Sequence, residues 1–371
     1  MEKLICITCQ HAYHLDDPRW RCDCGGLLDI EFTPRFDLAG APRLGGNMWR
    51  YRSALPIPQT AAAVTLDEGN SPLTPLEIAG RQVLVKQEHL SPSGSFKDRG
   101  ASLMITKVKQ LGITRVVEDS SGNAGCAVAA YCAQAGIACD IYVPASASPG
   151  KLAQIGLYGA NLKRIAGSRA DTARAALEAA QTHYYASHSW NPFFLHGLKT
   201  FAYEVCEQLG WSAPDTLALP AGSGTLLLGA WIGFNDLLKA GIIQKLPRLV
   251  AVQTAACPPL FEAFRQQRAQ PVAIQQQVSL AEGMAIAEPV RGAQALAAVR
   301  QSGGTILAVS EAEIQAALKM VARQGHYIEP TSAALIAGVE QYARSAAPAE
   351  VIVTAFTGHG LKATEMMMKM A

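Results

Sequence analysis

From about residue 80 onward, short apolar runs rich in β-branched residues alternate with longer segments in which apolar positions recur at helical spacing. Alternation of this kind predicts βαβ units and a mostly parallel sheet. The runs predict strands over Gln82–Val85, Arg115–Glu118, Asp140–Val143, Asn161–Ile165, Thr216–Leu219, Leu249–Gln253, Thr305–Val309 and Val351–Ala355. Helices are expected over Ala124–Ala135, Ala170–Gln181, Leu226–Lys239, Glu311–Arg323 and Thr331–Ala343, with Ser310 and Glu313 forming a capping box. Loops are expected over Pro144–Pro149 and, polar and Gln-rich, over Gln266–Gln277. Residues 1–35 break this pattern and read as a small appendage, with Gly-, Pro- and Arg-containing sequence from 36 to 60 as a connector.

Composition narrows the class. The chain has 371 residues, 49% hydrophobic and 17% charged, enough for more than one compact core. Its 32 basic and 30 acidic side chains form no basic block, so nucleic acid is not an expected partner. No apolar run reaches the roughly 20 residues that cross a bilayer, and the first residues lack a secretory apolar stretch, so a cytoplasmic protein is expected. Cys126, Cys132, Cys139, Cys206 and Cys257 lie scattered in apolar surroundings and read as reduced core thiols.

Four segments carry candidate chemistry. Ser93-Gly94-Ser95-Phe96-Lys97 places a lysine at a helix start, where dipole and desolvation disfavour the ammonium form and favour a Schiff-base amine. Ser120-Ser121-Gly122-Asn123-Ala124-Gly125 joins a strand to an Ala-rich helix, and its small residues and free N–H groups suit an anion such as a carboxylate. Ala221-Gly222-Ser223-Gly224-Thr225-Leu226 repeats that arrangement without matching a dinucleotide fingerprint or a P-loop, and suits a cofactor phosphate. Thr354 to Lys362 follows the last strand, and its Thr357 hydroxyl suits a heterocyclic nitrogen. Each segment by itself is also compatible with an ordinary connection.

Their order, together with Gly69-Asn70-Ser71-Pro72-Leu73, Ser189-Trp190-Asn191-Pro192, Gly283-Met284-Ala285, Glu329-Pro330-Thr331-Ser332 and Thr357-Gly358-His359-Gly360-Leu361-Lys362, resembles the fold type II pyridoxal-phosphate enzymes of the tryptophan-synthase-β fold. Within them the chain is similar to the threonine synthase family, over essentially its whole length. The resemblance implies an α/β fold of two parallel-sheet, Rossmann-like domains. It also implies a catalytic body at 36–371, with a smaller nested subdomain at about 98–195. Lys97 is implied to hold pyridoxal phosphate as an internal aldimine. Asn123 would face the ring hydroxyl, and Gly222, Ser223, Gly224, Thr225 and Leu226 the cofactor phosphate. Thr357 would face the pyridine nitrogen. A neutral hydroxyl there makes the ring a weaker electron sink and favours elimination or replacement over transamination.

The implied substrate contacts are Ser120, Ser121, Gly122 and Ala124 for its carboxylate and Lys151, His188 and Ser189 for its phosphate. Ala124, His188, Phe194 and Ser223 depart from the family pattern, and Phe194 stands where an arginine is expected. Two activities stay open. One is threonine synthase chemistry, converting O-phosphohomoserine and water to threonine and phosphate. The other is an ammonia-lyase or β-replacement reaction on threonine, serine or another β-substituted amino acid. The appendage also resembles the family: Cys6, Cys9, Cys22 and Cys24, in a 1–35 cysteine ribbon, suit tetrahedral zinc. A homodimer is implied as well. Met366, Met367, Met368 and Met370 read as packing surface on a last helix.

Overall fold

The computed structural model describes residues 2–37, 46–145, 147 and 149–368. Met370, most of the 36–60 connector's first half and two positions of the Pro144–Pro149 segment lie outside the described residues. Strands β1 (Lys3–Cys6), β2 (Ala12–His14) and β3 (Leu28–Glu31) belong to the appendage. Then follow β4 (Leu73–Ile78), β5 (Arg81–Lys86), β6 (Arg115–Glu118), β7 (Ala138–Pro144), β8 (Asn161–Ile165) and β9 (Tyr184–Tyr185). The last four are β10 (Thr216–Pro220), β11 (Arg248–Thr254), β12 (Thr305–Val309) and β13 (Ile352–Ala355). The chain divides into two compact units, Met1–Asn70 with Lys97–Thr200, and Ser71–Phe96 with Phe201–Ala371.

The first unit holds the antiparallel appendage sheet, ordered β2-β1-β3, and a parallel sheet ordered β8-β7-β6-β9. An Ala- and Cys-rich helix, Asn123–Ala135, follows β6 and is buried along most of its length because its side chains are small. The helices Lys97–Gln110 and Pro192–Leu198 approach to backbone contact: a Cβ on Gly197 would lie 2.1 Å from the Arg99 carbonyl oxygen. The appendage docks on the same unit. Trp20 sets its edge against Tyr185 and Trp190, with ring centroids 5.0 and 5.2 Å away, and Asp16 pairs with the buried Lys107.

The second unit is built on a six-stranded sheet ordered β12-β11-β10-β13-β5-β4. It is parallel except for the β4–β5 hairpin. Val83, Val85, Val250 and Val252 pack beneath the helix Pro330–Ala343, whose Gly338 leaves room for Val252. The predicted strands are present with ends shifted by two residues or fewer, and the capping box of Ser310 and Glu313 is formed. The hydrophobic pattern does not show β4, where Pro75 interrupts the run and is tolerated on an edge strand, or β9, whose two residues are too few to show a period. The Pro144–Pro149 loop ends as a helix begins at Pro149, whereas Gln266–Gln277 carries no helix or strand. Among the described residues no helix is long and apolar enough to cross a membrane.

At the heart of this unit the ammonium of Lys86 pairs with Glu204, both fully buried, and also donates to the Ser71 carbonyl and the Gln208 side-chain oxygen. Removing the carboxylate strands a cation away from water. Glu204→Ala is therefore expected to destabilise the folded chain by about 3–5 kcal/mol, read as a lower urea midpoint with an unchanged slope.

Candidate active site

In the first unit, Lys97 is the first residue of the helix Lys97–Gln110 and is buried. Its Nζ lies 5.7 Å from the ring centroid of Phe194. Phe194 is itself buried on Gly100, where a Cβ would come within 2.5 Å of the ring. The predicted anion turn lies at the carboxyl end of β6: Gly122 caps the helix Asn123–Ala135 without a side-chain bond. A Cβ on Gly125 would sit 1.9 Å from the Ser120 carbonyl oxygen, so only glycine permits this turn. Ser120, Ser121, Gly122 and Asn123 are half-buried and Ala124 is buried. Lys151 is half-buried on the helix Pro149–Leu157, and its carbonyl accepts from the Cys126 thiol at 3.7 Å.

Because β6 and β9 pair in parallel, the segment after β9 runs beside the segment after β6. His188 and Ser189 lie there, half-buried, and His188 Nδ1 is 2.8 Å from Oε1 of Glu118. Glu118 is fully buried and its Oε2 has no hydrogen-bond partner. Burial, and then the neighbouring charge of Asp119, push the Glu118 carboxyl well above its ordinary range. Burial, with Lys97 adding to it, brings His188 down to about 3, so the ring is neutral near pH 7.

The second unit supplies the other two segments. Gly222 to Leu226 follows β10; a Cβ on Gly222 would meet the Met284 Cα at 2.6 Å, and Gly224, at φ 75°, caps the helix Thr225–Lys239. Ser223 Oγ lies 3.3 Å from Thr225 Oγ1. Thr357 follows β13, the parallel neighbour of β10. Its amide and that of Gly358 donate to Ser332 Oγ at 2.9 and 3.2 Å, and Ser332 Oγ lies 3.0 Å from Thr357 Oγ1. Two N–H donors occupy the Ser332 lone pairs, so its own hydrogen goes to Thr357. The Thr357 hydroxyl hydrogen is thereby left to donate to a ligand. The segment before Lys97 runs alongside: Ser95 bridges Gly358, His359 N–H donates to the Gly94 carbonyl at 3.0 Å, and Phe96 N–H donates to the Thr357 carbonyl at 3.1 Å.

The donor set fits pyridoxal phosphate. Ser95 Oγ is buried without a partner two residues before Lys97, Gly222 forms a cradle that a Cβ would fill, and the helix after Gly224 presents N–H groups without a side-chain cap. Glu118, Ser95 and Ser332 carry no signal in the sequence that marks them singly as site residues. Ser332 lies in the Glu329-Pro330-Thr331-Ser332 segment, whose motif character was visible although its hydrogen bonds were not.

In the appendage, the Sγ atoms of Cys6, Cys9, Cys22 and Cys24 all lie within 4.8 Å of one another, with Cys6–Cys24 at 3.6 Å and Cys9–Cys22 at 3.5 Å. Thr8 and Cys9 amides point at Cys6 Sγ, at 3.4 and 3.5 Å, and Gly26 is needed beside that sulfur, where a Cβ would lie 2.8 Å away. Tetrahedral zinc with bonds of about 2.3 Å separates its sulfurs by about 3.8 Å, so the cluster has the right size for the ion.

A family model described as pyridoxal-phosphate dependent enzyme matches residues 64–358. The threonine synthase of Methanocaldococcus jannaschii is 35% identical, over 96% of this chain and 92% of its own. That of Methanosarcina acetivorans is 33% identical, over 98% and 92%. Among solved structures, maize serine racemase superposes with a TM-score of 0.69 at 20% identity, over 80% of this chain and 91% of its own, and so shares the fold.

Ser332→Ala removes the common acceptor of two amides. The Thr357 and Gly358 amides are expected to exchange their hydrogens at least about tenfold faster, measured by hydrogen–deuterium exchange, because each loses a bond of about 1–1.5 kcal/mol.

Proposed function

The chain belongs to the pyridoxal-phosphate-dependent enzymes and, among them, to the threonine synthases, and on that premise we propose that it converts O-phosphohomoserine and water to threonine and inorganic phosphate. The observation that carries this reading is identity of about one residue in three to threonine synthases along nearly the entire chain. Bound pyridoxal phosphate supplies an electron sink for charge developing at the substrate carbons.

The chain's own residues then divide the work. Lys97 takes the cofactor through its amine and moves protons at Cα and Cβ. Asn123 bonds the ring hydroxyl, and the N–H groups of Gly222, Ser223, Gly224, Thr225 and Leu226 hold the cofactor phosphate. Thr357, with its hydroxyl hydrogen released by Ser332, donates to an unprotonated ring nitrogen and keeps the sink weak. A weaker sink would favour prompt expulsion of a leaving group over transamination. Ser120, Ser121, Gly122 and Ala124 receive the substrate carboxylate, while Lys151, His188 and Ser189 receive its phosphate.

The test is incubation of cofactor-loaded protein separately with O-phosphohomoserine, threonine, serine and O-phosphoserine. Threonine and phosphate in equal amounts are expected from the first. A 2-oxo acid from threonine or serine, with phosphohomoserine untouched, would overturn the reading in favour of an ammonia-lyase.

Residues 1–35 are proposed as a zinc ribbon beside a catalytic body at 36–371 with a nested 98–195 subdomain. Four thiolates of the right separation support the ion, and the ribbon's reduced thiols fit the cytoplasm. The proposed assembly is a homodimer. One zinc per chain is expected by elemental analysis. Cys22→Ala should lose it and expose Trp20, shifting the tryptophan emission to longer wavelength; full zinc retention in that variant would refute the site.

A further inference from the structure

Loss of a phosphate from carbon places negative charge on the departing oxygen, and a protein neutralises that charge with a fixed cation or with a proton. At the position where the resemblance sets an arginine stands Phe194, fully buried. The first unit places two titratable groups beside that ring. The His188 ring lies 6.1 Å from the Phe194 centroid, and Lys97 Nζ approaches the same ring at 5.7 Å. His188 thus shares a neighbour with the reacting amine. Its Nδ1 is occupied by Glu118 at 2.8 Å, and its Nε2 has no hydrogen-bond partner among the described residues.

The surroundings of Glu118 fix which partner holds the proton. Facing it are His188, Asp119 with its backbone amide, which alone favours the carboxylate by a hydrogen bond, Arg169, Lys97, Tyr185 and Cys139. Asp119 accepts from the Tyr185 hydroxyl at 2.8 Å and from Arg169 at 2.6 Å, so those two donors are already engaged. Glu118 Oε2 receives no bond that would favour a carboxylate. Burial disfavours charge on both members of the pair. The arrangement that satisfies both is a neutral one: Glu118 Oε1–H donates to Nδ1, and the ring carries its hydrogen on Nε2.

We propose that Glu118 and His188 form a proton relay, with His188 Nε2 donating to the phosphate oxygen as the substrate's carbon–oxygen bond breaks. The inference rests on the phosphorylated substrate proposed above. Lys97 takes the Cβ proton, and the electron pair of that bond closes the Cβ–Cγ double bond. The Cγ–O bond breaks with its pair passing to oxygen. The Nε2 proton goes to the phosphate, giving monohydrogen phosphate, and the Glu118 proton passes to Nδ1. His188 ends neutral in its other tautomer and Glu118 ends as a carboxylate. Lys97 returns the Cβ proton to Cγ, which becomes the methyl carbon, and the proton shed by the incoming water, as its oxygen joins Cβ, resets the pair. The relay supplies positive charge only while the phosphate leaves, which suits a pocket whose wall is Phe194.

The experiment compares holoenzyme, His188→Asn and Glu118→Gln on O-phosphohomoserine and on 2-amino-4-chlorobutanoate, whose chloride departs without a proton. Turnover of the phosphate ester is expected to fall about 100-fold in both variants, while turnover of the chloride changes within about threefold. Equal losses on the two substrates, or none on the ester, would overturn the relay alone. A wild-type enzyme that releases no phosphate would overturn both this and the function it rests on. Independently of any variant's folding, the ¹⁵N spectrum of the wild-type holoenzyme labelled at histidine is expected to show His188 protonated on Nε2 and accepting at Nδ1. The opposite tautomer at neutral pH would refute the relay.

Discussion

Parallel strand pairing is the constraint on which the candidate site depends. In a parallel sheet the carboxyl ends of neighbouring strands emerge on one side, so whatever follows them is brought together irrespective of distance along the chain. The pairing of β6 with β9 sets Glu118 beside His188, and that of β10 with β13 sets the Gly222 turn beside Thr357. Each of those strands feeds a turn, and three of the turns open helices whose N–H groups have no backbone partner within the helix. The site chemistry of each unit is assembled at the end of its sheet.

Glycine makes this assembly dense enough to be specific. Gly100 admits the Phe194 ring, Gly197 admits the Arg99 carbonyl, Gly222 admits the Met284 backbone and Gly358 admits the Glu329 carboxylate, whose atoms would lie 2.3 Å from a Cβ. None of these four glycines is among the positive-φ residues, so they are required for space alone. The same closeness removes water, and so turns ordinary polar groups into directed ones. Ser332 shows how: with both lone pairs taken by amides, its single hydrogen is committed, and the direction of the Thr357 hydroxyl follows from that.

The appendage adds a second kind of order. Its four cysteines gather within a few ångströms because β1, β2 and β3 form an antiparallel sheet too small to hold a core by itself. Trp20 reaches from it to Tyr185 and Trp190, which flank His188 along the chain. The appendage therefore packs against the segment that carries His188.

Much of this was written in the sequence. Hydrophobic period located the strands from β5 onward except β9, and small residues at strand-to-helix junctions marked the turns at Ser120 and Gly222. The Cys6, Cys9, Cys22 and Cys24 spacing marked the cluster. These features are local: they depend on residues within about one element of each other, and periodicity encodes them directly. The Glu118–His188 pair spans 70 positions and the Ser332–Thr357 bond 25. The orphaned Ser95 hydroxyl exists only because other elements bury it. Strand order decided those juxtapositions, and strand order is a property of how whole elements pack, which no local period contains.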